Sequence, residues 1–162
     1  MLAFFESFGG IGLAFLGAAL AVALCCVGSA KGTGIVGEAA TGVICEAPEN
    51  FSKCLILQVL PGTQGLYGMV AWFFVLLTIG VLGGGVEPLA ICQGRCNIWA
   101  CRPLARGGGG SAQDHGRVAA SAINVVAKKP DDWAKGIILC GIGEFYAILS
   151  LLASVLLLMN AQ

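Results

Sequence analysis

Residues 136–159 read GIILCGIGEFYAILSLLASVLLLM, an apolar run interrupted by a single charge, Glu144. About 20 mostly apolar residues cross a bilayer as a helix. This stretch therefore decides the fold class: a membrane helix with a carboxylate inside it. At 1.5 Å per residue, Glu144 lies about 12 Å into the helix counted from Gly136. An ionised carboxylate at that depth costs at least ~2.5 kcal/mol and marks a functional site by default. The plainer reading is a structural polar contact, or a protonated acid facing another helix.

The rest of the chain agrees. Of its 162 residues 57% are apolar and 11% charged, and mean hydropathy is +0.88. Soluble domains carry about 25% charge, so a water-facing globule is excluded. Nine basic residues balance nine acidic ones, which excludes a nucleic-acid binder. Two further apolar runs stand out, from about 8 to 30, ending at Lys31, and from about 55 to 82, between Lys53 and Glu87. The first lacks the basic start of a signal peptide, because residues 1–6 carry Glu6 and no Lys or Arg. It is expected to be a retained helix. Its glycines and alanines, Gly9 to Gly28, permit close backbone approach.

Charge sets the orientation. Lys31 and Lys53 flank one connection, and Arg117, Lys128, Lys129 and Lys135 cluster before the last helix. By the positive-inside rule both clusters face the cytoplasm and both termini face outside. That needs an even number of spans, with a fourth between Val86 and Lys128. An internal repeat at an offset of 82 supports two hairpins: Gly28-Ser29-Ala30 matches Gly110-Ser111-Ala112, and Pro48-Glu49 matches Pro130-Asp131. The hairpins are expected over residues 1–83 and 84–162.

Thr63, ten positions after Lys53, falls at nearly the depth of Glu144, which is nine after Lys135. Around it runs LPGTQGLYG, residues 60–68. Pro61 lacks an N–H and frees the carbonyl of Leu57. Thr63 and Gln64 supply oxygens, and Tyr67 lies one turn on. A hard cation such as Na⁺ takes oxygen ligands, and this group provides them. Ordinary interhelical hydrogen bonding is the alternative for the Thr-Gln pair.

Four stretches, GSAKG at 28–32, LQVLPGTQGLYG at 57–68, AKKP at 127–130 and GEFYAIL at 143–149, resemble the proteolipid (c or K) of the rotor ring of bacterial V-type ATPases, most closely its sodium-transporting branch. The resemblance covers roughly 8–83 and 116–161. It implies an all-α membrane protein of duplicated transmembrane hairpins, four helices per subunit, in a ring of identical subunits within the bacterial cell membrane. It also implies two partners, a stator protein that contributes an Arg and a protein of the central stalk. Carried over by motif, Glu144 holds the ion, Thr63 and Gln64 give side-chain oxygens, Leu60 gives its carbonyl, and Tyr67 hydrogen-bonds the carboxylate. A third-helix Gln completes the family's sodium site. Ser111-Ala112-Gln113 points to Gln113, whereas a gapless count back from Lys128-Lys129-Pro130 points to His115. The transported ion is Na⁺, with H⁺ as the alternative. No organic cofactor is implied, and the chain has no P-loop, so any nucleotide site lies in another subunit.

Residues 87–117 depart from this pattern. They hold Arg95, Arg102, Arg106, Pro88, Pro103 and the run Gly107 to Gly110. No 18-residue apolar window exists there, and three Arg in one span cost roughly 2.5–3.5 kcal/mol each. Three readings stand: a disturbed reading frame between about codons 88 and 115, a divergent loop or surface helix, or a specialised or inactive paralogue. The alternative function is accordingly a small structural membrane protein, an assembly factor or an inactive ring paralogue. Cys92, Cys96 and Cys101 lack zinc spacing, and no disulfide framework is expected.

Overall fold

The computed structural model describes residues 2–85 and 88–161, with side chains from residue 8 onward. Val86 and Glu87, where the anomalous segment begins, lie outside the described residues. The described residues form four helical rods. The first is α1 (Leu2–Glu46). The second joins α2 (Phe51–Val59) to α3 (Thr63–Thr78) through a 3₁₀ turn at Leu60–Gly62. The third is α4 (Ile91–Lys128) and the fourth is α5 (Trp133–Met159).

α1 is expected to end at Lys31, yet it continues to Glu46. Its 45 residues reach about 67 Å, well beyond a hydrocarbon core of about 30 Å. Nothing in residues 32–46 breaks the helix, which needs only one buried face once outside lipid. Val36 and Ala40 provide that face. The second rod ends at Thr78, short of Leu82, because Gly80 adopts a left-handed φ of 78° and turns the chain.

The main correction concerns residues 87–117. From Ile91 onward α4 runs unbroken through this segment. Mean hydropathy hides the helix, because burial needs only one face. Gly94, Asn97, Cys101, Leu104, Gly108, Ala112, His115, Ala119, Ile123 and Val126 recur every three or four residues and are buried. Arg95, Arg102, Arg106 and Arg117 sit on the other side, exposed. Pro103 lies inside the helix. The neighbouring Leu104 N–H donates to Ser154 Oγ at 3.0 Å, and the Leu104 carbonyl accepts from Cys25 Sγ at 3.3 Å. Among the described residues, three helical stretches suit a membrane by length and composition, Phe8–Glu46, Pro48–Thr78 and Pro130–Met159. α4 is the fourth rod and is not among them.

α1 and α4 run in the same direction and nearly touch. A Cβ added at Gly28 would fall on the Gly109 backbone, and one at Gly116 would fall on Gly32. Only glycines allow that approach. Two apolar layers result. One gathers Ala14, Ala18, Ala21, Cys25, Val75, Leu104 and Leu158. The other gathers Val36, Cys54, Leu57, Ala119, Ile123 and Cys140. A polar layer lies between them.

Candidate ion-binding site

The polar layer forms where the second rod changes winding. Without a Pro61 N–H, the chain tightens into the 3₁₀ turn, and Thr63 N–H bonds to the Leu60 carbonyl. This starts α3 with Thr63, Gln64 and Tyr67 on the side facing α5. The turn is pinned from behind, where Ser29 Oγ of α1 accepts a 2.8 Å hydrogen bond from Gly65 N–H. Ser29 is 7% exposed. The sequence points to no role for Ser29, since a lone Ser in an apolar helix carries no signal of one.

Glu144 is the centre of the cluster. Its Oε2 accepts from Thr63 Oγ1 at 2.8 Å and from Gln64 Nε2 at 2.8 Å. Its Oε1 accepts from the Tyr67 hydroxyl. The Glu144 side chain is 19% exposed, while Gln64 is 0% exposed. Thr63 Oγ1 also lies 2.9 Å from the Leu60 carbonyl and 3.3 Å from Gln64 Oε1. A hydroxyl has one proton, and here three acceptor oxygens converge on it.

The structure brings together Leu60, Thr63, Gln64, Tyr67 and Glu144. It does not bring Gln113. That amide turns back along α4 to the Gly109 carbonyl at 3.5 Å. His115 takes the place instead, with Nδ1 3.0 Å from Gln64 Nε2 and 3.4 Å from Glu144 Oε2. The reason is rotational: two residues turn an α-helix by about 200°, so only one of the pair can face α3. Gly143 lies against His115, where an added Cβ would make ordinary contact 3.5 Å from the ring.

The hydrogen-bond pattern assigns protons. Gln64 Nε2 has two hydrogens, one for Glu144 and one for His115 Nδ1. That pairing puts the imidazole N–H on Nε2, which is buried without a hydrogen-bond partner. Elsewhere, no three of the His, Cys, Asp and Glu side chains gather at one point among the described residues, Cys92, Cys96 and Cys101 included.

Comparison with known proteins follows the same duplication. The family of the ATP synthase C-subunit matches twice, over residues 16–75 and 98–157. The second match begins inside the anomalous segment, so it extends the likeness to residue 98. The chain is 42% identical over 153 residues to the V-type sodium ATPase subunit K of Enterococcus hirae, covering 94% of each protein. It is 33% identical over 148 residues to the A-type ATP synthase subunit K of Methanocaldococcus jannaschii. That match covers 91% of this chain and 62% of the archaeal protein.

Proposed function

Because this chain belongs to the ATP synthase C-subunit family and is a rotor-ring proteolipid of a V-type ATPase, we propose that it carries Na⁺ on Glu144 during ATP-driven rotation. The observation that carries this reading is the crowding of oxygens at Thr63. Leu60 O, Gln64 Oε1 and Glu144 Oε2 surround one hydroxyl with one proton to share. Surplus lone pairs around a carboxylate suit a hard cation. The name of the Enterococcus relative, a sodium ATPase subunit, supports the same ion.

The cycle follows from electrostatics. A carboxylate passing through lipid must be neutralised, because the bare charge is costly there. A bound cation does this, with Leu60, Thr63 and Gln64 offering oxygens and Tyr67 holding the free carboxylate oxygen. At the stator an Arg replaces the ion as counter-charge, and the ion leaves to one side. The emptied site refills from the other side. Torque reaches the ring through the central stalk. Both termini face outside, and the connections between α1 and α2 and between α4 and α5, next to Lys53 and to Lys128, Lys129 and Lys135, face the cytoplasm.

Only one carrier serves four helices. The repeat offset of 82 pairs Glu144 with Gly62, and a glycine cannot hold an ion through a side chain. Fewer ions then move per ATP, which lets the machine work against a steeper gradient.

Carbodiimide labelling of membranes tests this. The reagent attacks a protonated carboxyl in an apolar site. We expect Glu144 to be labelled, and Na⁺ to suppress the labelling at fixed pH. Labelling that follows pH alone would assign H⁺ as the cargo. Absence of labelling at Glu144 would refute transport and favour an inactive ring paralogue.

A further inference from the structure

Two lone-pair atoms face each other in the polar layer. With the imidazole proton on Nε2, His115 Nδ1 keeps its lone pair, and it lies 3.4 Å from Glu144 Oε2. The Gln64 amide nitrogen is held between them, 3.0 Å from Nδ1 and 2.8 Å from Oε2. Thr63 Oγ1 reaches the same carboxylate oxygen at 2.8 Å. His115 is 1% exposed and Gln64 is 0% exposed, so packing holds both side chains in place.

An imidazole nitrogen beside a carboxylate suits a borderline first-row cation better than a hard one. Zn²⁺ takes His nitrogen and carboxylate oxygen at about 2.0–2.2 Å in a tetrahedral array, which sets neighbouring ligand atoms about 3.4 Å apart. Nδ1 and Oε2 stand at that separation. The Gln64 amide has nearly the same shape after its oxygen and nitrogen trade places. That turn points a third ligand at both atoms, and its two contacts need to widen by only about 0.5 Å to fit the array. The Thr63 hydroxyl supplies a fourth. We propose that His115, Glu144, Gln64 and Thr63 form a site for a first-row divalent cation, Zn²⁺ above all, which competes with the transported ion. A Gln at position 115 offers only a hard oxygen, so His115 alone creates the preference. One carboxylate balances only one of the two charges, and lipid excludes the remainder. A divalent ion at this site is therefore a blocker and not cargo: it enters where the site meets water, and holds that copy there. The block rests on the transport role proposed for Glu144, whereas the coordination does not.

The test uses the assembled ATPase, with two readouts. Co²⁺ stands in for Zn²⁺ and absorbs visible light far more strongly in a four-coordinate site than as the aqueous ion. Zn²⁺ is then titrated against ATP hydrolysis on the same preparation. Co²⁺ bands are expected that Zn²⁺ abolishes and that His115→Gln loses. The half-inhibitory Zn²⁺ concentration should rise at least about tenfold in that variant. His115→Asn, which also lacks the imidazole, replaces it if the first variant fails to assemble. Cys92 and Cys96 are exposed thiols near the start of α4, and Cys92→Ser/Cys96→Ser should keep both effects. Absence of the bands, or bands or inhibition that survive the loss of the imidazole, overturns the proposal. Loss of either effect in the cysteine variant moves the metal to the thiols and overturns it too, as do bands without inhibition. Na⁺ protection of Glu144 from carbodiimide without Co²⁺ bands sinks this site alone. Bands and inhibition that need His115 but resist Na⁺ keep this site and refute Na⁺ as the cargo.

Discussion

At the residue scale, His115 is the informative departure. The sodium branch of the family is expected to place a Gln there, and this chain presents an imidazole whose Nδ1 faces Gln64 and Glu144. Hard cations favour oxygen over nitrogen ligands. His115→Gln should therefore tighten Na⁺ binding. An added oxygen contact to a charged group is worth enough to lower the half-protecting Na⁺ concentration in carbodiimide labelling roughly tenfold. An unchanged or raised half-protecting concentration would mean that His115 is already a full ligand, or that it stands outside the ion's shell. Much of this cluster was legible in the sequence. Counting from Lys53 and Lys135 put Thr63 and Glu144 at one depth, because helical rise is constant. The choice between Gln113 and His115 was not legible, since it turns on a rotation of α4 that its packing against α1 and α5 fixes.

At the element scale, α1 and α4 depend on glycine contacts, and the positions differ in kind. At Gly28 a Cβ would overlap the Gly109 backbone, whereas at Gly34 it meets nothing within 4 Å. Gly28→Ala should destabilise the subunit by about 1–3 kcal/mol, the usual cost of overpacking. Gly34→Ala should stabilise it by up to ~1 kcal/mol, since alanine is the better helix former. Thermal unfolding in detergent, followed by circular dichroism, reads both, and opposite signs are the required result. The same contacts explain why α4 was hard to see. A hydropathy window averages all sides of a helix, and Arg95, Arg102 and Arg106 dominate that average. The buried face, Gly94 through Val126, mixes glycine and alanine with Asn97, His115 and a few larger apolar residues, so its apolar signal is weak. Its signal was a spacing of three and four, which is visible in the sequence only when glycine and alanine are read as packing residues.

At the scale of the whole molecule, each subunit presents one carboxylate, partly exposed beside the apolar outer face of α5, where Ile138, Ile142, Phe145 and Leu149 are exposed. On the proposed cycle, a ring of identical copies carries every one of these carboxylates past the same stator. A covalent adduct on Glu144 would then neither bind the ion nor pair with a stator Arg, so a single modified copy would stop the ring within one turn. If a fraction f of Glu144 is labelled at random in rings of n copies, the unblocked share is (1 − f) raised to the power n. Activity of the assembled ATPase should therefore fall much faster than labelling rises. Mass spectrometry of the labelled peptide, taken beside Na⁺-coupled ATP hydrolysis on the same membranes, measures both. A steep concave loss is expected, and its curvature reports n. Loss in direct proportion to labelling would mean that copies act independently, which a rotating ring cannot do.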